Sequence, residues 1–209
     1  MGWDFLKDDA EPRLPDRTRV VGVMLAIGVF TGLVSSLPSP LPEIRLDGDG
    51  LILNATGSPL HAGVVFAAGM AFCIWLWITR DLGKCGLTFA LVLVGWLAAV
   101  NTANDLYQAL VGSEVFGADF GAKQGRQVLG LVLGGVVAGA VGAGLAAFGA
   151  GISARAMRRS ENWILVVLIG AAAGALLYPA AAFLMPPVIF VPWQALVAGT
   201  VGFGLTRPR

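Results

Sequence analysis

The chain has 209 residues, 56% of them hydrophobic and 13% charged, with a net charge of +1. Soluble domains carry about 25% charged residues. A near-neutral chain also offers no basic field to neutralise phosphates, which excludes a nucleic-acid partner. Mean hydropathy is +0.78. The apolar runs approach the ~20 residues that cross a ~30 Å hydrocarbon core. These features predict a single all-α domain over residues 1–209, polytopic and solvated by the lipid bilayer.

Residues 1–19 mix Asp4, Asp8, Asp9, Glu11 and Asp16 with basic residues, so they read as a cytoplasmic tail. They do not read as a secretory leader: the apolar run that follows is too long for a signal core, and no A-x-A site closes it. Leu6 stands where a myristoylation signal requires Ser or Thr. Trp3, Phe5 and Leu6 fit either the inner headgroup layer or a solvated tail.

Six spans follow, roughly Val20–Leu37, Ala62–Ile78, Gly86–Ala103, Val128–Ile152, Trp163–Leu184 and Val188–Leu205. Pro38, Pro40 and Pro42 stop the first, because proline lacks the backbone donor and clashes with the preceding turn. Pro186 and Pro187 separate the last two. With six spans, eleven Lys and Arg residues collect on the side of the termini, and Arg45, Lys123 and Arg126 on the other. The positive-inside rule then places both termini in the cytoplasm. The expected location is a bacterial inner (plasma) membrane.

The outer loop 39–61 alternates Ile44 and Leu46 with Glu43, Arg45 and Asp47, then turns through "DGDG" into Leu51-Ile52-Leu53. This predicts a small β-hairpin. Asp47 and Asp49 lack the remaining ligands of a calcium loop, since Leu51 takes the next alternate position. Asn54-Ala55-Thr56 fits the glycosylation pattern. The second outer loop, 106–127, holds Leu106, Tyr107, Leu110, Val111, Phe116 and Phe120. A short interfacial helix would bury them. Hairpin and interfacial segment together would form an outer cap.

The residues that carry chemistry are few. His61 is the single histidine, which excludes a haem held by two histidines of this chain and a multi-histidine metal site. Ser35 and Ser36 lack a G-x-S-x-G frame, and serines near a helix end usually satisfy backbone carbonyls. No Asp, Glu, Lys or Arg lies near the middle of a span, whereas ion-driven pumps usually need one there. Cys73 and Cys85 form no CxxC and read as packed, reduced thiols. No catalytic residue, metal or cofactor is expected.

Two polar constellations remain. Asn101, Asn104 and Asp105 share one helical face by their i, i+3, i+4 spacing. Asp105 stands about 29 Å above Gly86, at the outer boundary, with Asn101 about one turn below. They either pin the span to a neighbour or form a solute-binding mouth. Tyr178-Pro179 breaks span five, and Pro192-Trp193-Gln194 enters span six. Such breaks free carbonyls for water, a side chain such as Gln194, or a ligand; the alternative is a kink that only shapes packing.

Glycine is the clearest packing signal. Gly130/Gly134 and Gly135/Gly139 form GxxxG pairs in span four, and Gly28/Gly32 and Gly170/Gly174 repeat the spacing in spans one and five. Span four should be surrounded by protein, within the bundle or against a partner. Two functions follow. The first is a non-catalytic accessory or assembly subunit that packs against other membrane proteins, or itself, through glycine-rich faces. The alternative is a binding or transport component for a small neutral or weakly polar solute, held by Asn101, Asn104, Asp105, Tyr178 and Gln194.

Overall fold

A computed structural model describes residues 16–46, 50–55, 57–112 and 125–207. The helices are α1 (Arg17–Ser35), α2 (Leu60–Trp77), α3 (Leu82–Val111), α4 (Gly125–Ser153), α5 (Ser160–Gly174), α6 (Leu177–Ala182) and α7 (Pro187–Leu205). With α5 and α6 taken as one segment, six are long and apolar enough to cross a membrane, the pattern of an integral membrane protein. Large apolar side chains face outward, Phe30 at 64% exposure and Leu168 at 60%, as expected where lipid replaces water.

Local chemistry explains the helix ends. The Asp16 carboxylate accepts the Thr18 amide at 3.0 Å and starts α1; Asp81 accepts the Gly83 amide at 2.8 Å and starts α3. Gly112, at φ 78°, closes α3, with its N–H on the Gln108 carbonyl at 2.7 Å. Between Gly95 and Gly112 the sequence holds no glycine or proline, so nothing interrupts α3 near Ala103. Leu106, Tyr107, Leu110 and Val111 therefore belong to α3 itself and not to a separate interfacial segment. Phe116 and Phe120 lie outside the described residues.

Span five is interrupted as expected, but at Ala175 and Leu176, one turn before Pro179. A proline ring clashes with the carbonyl four residues earlier, here Ala175. Ser35 and Ser36 donate to the carbonyls of Thr31 and Gly32, each at 2.7 Å, in the carbonyl-satisfying role.

Neighbouring helices run antiparallel along glycine seams. Gly28 and Gly32 of α1 meet the backbones of Ala195 and Val191 of α7; a Cβ on Gly28 would lie 2.5 Å from the Gln194 carbonyl oxygen. Gly135 and Gly139 of α4 meet Gly174 and Gly170 of α5, while Gly134 meets Ala103 and Gly130 meets Tyr107, both on α3. All eight glycines of the predicted packing set thus face helices of this chain. Span four is only partly enclosed: Leu129, Leu133, Val137 and Phe148 form an exposed side of α4.

At one end of the bundle the Arg17 guanidinium lies 4.8 Å from the Phe203 ring centroid, which brings the first and last helices together. A small cap covers the opposite end. Strands β1 (Ile44–Arg45) and β2 (Ile52–Asn54) form the predicted hairpin as an antiparallel pair. Asp47 and Asp49 lie outside the described residues. Asn54 organises the cap. Its Oδ1 accepts from the Leu60 amide at 2.8 Å and from Ser39 Oγ at 3.1 Å. Its Nδ2 donates to the carbonyls of Pro42 at 2.6 Å and Leu41 at 3.1 Å. Asn54, the first residue of the glycosylation pattern, is 1% exposed.

Candidate binding cavity

A cavity of about 80 Å³ lies beneath the cap. Helix α3 supplies Trp96, Ala99, Val100 and Ala103; α4 supplies Gly135, Ala138 and Gly139. Gly174 and Leu177 flank the α5–α6 break, Ile189, Phe190 and Trp193 come from α7, and Gly57 and Ser58 from the cap. One wall is glycine and alanine, and the opposite wall is aromatic. The rings of Trp96 and Phe190 are 5.5 Å apart, within the range of favourable aromatic pairs.

The accessible surface of the cavity is almost wholly apolar. Trp96 and Ser58 are both buried, and among the described residues neither Trp96 Nε1 nor Ser58 Oγ has a hydrogen-bond partner. Trp193 differs: its Nε1 donates to the Gly170 carbonyl at 3.2 Å. An unpaired buried polar atom costs about 1–3 kcal/mol. Among the described residues no ionisable side chain lines the cavity.

The polar residues singled out in the sequence lie around this cavity without lining it. Asn101 Oδ1 accepts the Ile52 amide at 2.8 Å, and its Nδ2 donates to the Ile52 carbonyl at 3.0 Å and to Leu97 at 2.8 Å. Ile52 sits opposite Arg45, while the flanking bond joins the Leu46 amide to the Leu51 carbonyl at 2.9 Å. In that register the polar groups of Ile52 point away from β1. The Asn101 amide takes both, as a third strand would. Asn101 thus pins α3 to the cap, the first of the two expected roles, and its amide is already engaged.

Asn104 is 2% exposed, with Oδ1 unpaired among the described residues; Asp105 is exposed. The i, i+3, i+4 triplet therefore does not converge on one mouth. Tyr178 is half-buried and packs beside Tyr107 and Leu131. Gln194 is fully buried and donates through Nε2 to Ser35 Oγ at 2.8 Å, joining α7 to α1 in place of Asn101. His61 sits where α2 begins, with Nε2 3.2 Å from the Val34 carbonyl. Among the described residues no group of three or more His, Cys, Asp or Glu is placed to hold a metal ion.

The residues that line the cavity carried little signal in the sequence. Trp193 stands out only within Pro192-Trp193-Gln194, and no local pattern singles out Trp96 or Ser58. Compared with known proteins, the chain matches no family model, no curated protein and no solved structure, and the site is interpreted from its geometry.

Proposed function

We propose that this chain is a non-catalytic membrane protein that binds a small, mainly apolar, uncharged molecule in the cavity beneath its cap. The supporting observation is that cavity: α3, α4, the α5–α6 segment, α7 and the cap line it, and glycine and alanine leave its space open. Its apolar lining, without an ionisable group among the described residues, favours an uncharged occupant, because an isolated buried charge is strongly disfavoured. The positive-inside count puts the termini in the cytoplasm and the cap on the outer side, so the occupant would be taken from the outer leaflet or the outer medium. The proposed activity is capture and retention of the molecule.

The accessory-subunit function rested on glycine faces free to dock another protein. Those faces are filled by the chain's own helices, and this moves the balance towards binding. Substitution of Ala138, which is 7% exposed and lines the cavity, separates the two functions. Ala138→Leu should fill the cavity and abolish retention of a small molecule while a protein partner remains bound. Retention of the same molecule by the variant would defeat the proposal.

A further inference from the structure

The cap is tied to α3 at a definite height. Between Lys84 and Asp105 the sequence of α3 carries no charged residue, and that interval rises about 32 Å, close to the ~30 Å hydrocarbon core of a bilayer. Asn101 lies one turn before Asp105, about 6 Å deeper. Helical side chains lean towards the helix N-terminus, and Asn101 does so: its Nδ2 also donates to the Leu97 carbonyl at 2.8 Å. The Ile52 backbone, 2.8 and 3.0 Å from the Asn101 amide, is therefore held below Asp105, beside the span of α3 and not above it. The helices on either side of the cap agree. From Arg17 to Ser35 α1 rises about 27 Å, and from Leu60 to Trp77 α2 rises about 26 Å. Both stop short of the ~30 Å core. They stop at one level, since His61 Nε2 lies 3.2 Å from the Val34 carbonyl.

We infer that the cap is seated in the bilayer leaflet on its own side, with Leu37, Leu41, Leu46 and Leu51 in contact with lipid. All four are exposed, and Leu33, one turn below Leu37 on a membrane-length helix, is exposed as well. The surface of the cap thus continues one that lipid already covers. A backbone at this depth must find its partners in protein, because lipid supplies none. The cap meets that demand. Asn101 takes both polar groups of Ile52, Leu46 donates to the Leu51 carbonyl at 2.9 Å, and Ala55 and Ser58 exchange backbone bonds at 3.0 and 3.3 Å. Arg45 and Glu43 are joined at 2.6 Å, so these charges enter the leaflet as a pair. The turn between α6 and α7 shares this end, since Val191 lies beside Gly32. Its Phe183, Leu184 and Met185 are also exposed, in a stretch without a charged residue from Asn162 to Thr206. This seating does not depend on an occupant in the cavity.

The test is spin-label accessibility of the full chain in phosphatidylcholine nanodiscs. Single cysteines replace Leu51 and Leu46 in the cap, Leu168 in mid-span and Asp105 at the boundary, all exposed positions. The unmutated chain, whose two cysteines are buried, gives the background. Oxygen concentrates in hydrocarbon and a neutral nickel chelate stays in water, so the ratio of their collision rates with the label reads depth. That ratio should be higher for Leu51→Cys and Leu46→Cys than for Asp105→Cys, and should approach the value for Leu168→Cys. Two cap positions keep the test decisive if one variant does not fold. Cap ratios at or below the Asp105→Cys value would place the cap in water and overturn the inference. Exclusion of both reagents from the cap labels would show protein covering these leucines, such as a second copy of the chain, and would overturn it as well.

Discussion

Replacing Asn101 by leucine isolates the bond between bundle and cap. The substitution removes the acceptor of the Ile52 amide, 2.8 Å away, and the donor to the Ile52 carbonyl, 3.0 Å away. Ile52 is 1% exposed, so both of its backbone groups would be stranded out of solvent. Two lost bonds at about 1 kcal/mol each set a lower figure near 2 kcal/mol, and the stranded groups raise it to about 4 kcal/mol. The cost stops rising there, because the cap can open and rehydrate instead. Opening of the cap should then become roughly 30- to 1000-fold more frequent. Hydrogen exchange at the Ile52 amide measures this directly, since local opening sets its rate. Asn101→Leu should speed that exchange by the same factor and leave amides in the middle of α4 protected. An unchanged Ile52 rate would refute the strand-like role of Asn101.

Further outcomes follow from other contacts. Gly174→Leu should lower the thermal midpoint sharply or abolish folding, by about 3 kcal/mol or more, because an added Cβ would fall on the Gly135 carbonyl group. Gly22→Leu, with nothing within 4 Å of its Cβ, should leave the same midpoint unchanged. Asn54→Ala removes four hydrogen bonds from the cap and should cost about 2–4 kcal/mol, read as faster proteolysis of residues 39–59. Cys73 and Cys85 are free and buried; both should resist maleimide in the folded protein and react after denaturation in SDS.

Much of the architecture is legible in the sequence because lipid imposes a simple rule: long apolar runs, interrupted by proline, glycine or charge. The hairpin was legible too, from alternation around "DGDG". The far end of α3 was not. Leu106 and Tyr107 are apolar enough for an interfacial segment, and only the absence of a breaker before Gly112 reveals that the helix continues. The break in span five was assigned to Pro179, although a proline acts through the carbonyl one turn earlier. For Asn101 the sequence leaves two roles open, pinning the span or binding a solute, because its partner, the Ile52 backbone, is 49 positions away and invisible to any local pattern. The cavity had no polar signature at all. Gly135, Gly139 and Gly174 announce close packing, and nothing local shows that the packing leaves space beside Trp96 and Ser58.

The central claim is that the cavity holds a small uncharged molecule. Its most direct test is native mass spectrometry of the full chain released gently from the membrane in which it is made, alongside Ala138→Leu. The account predicts one apolar small molecule per chain on the original protein and none on a folded Ala138→Leu variant. An original chain that carries no small molecule, or a variant that carries the same one, would contradict it.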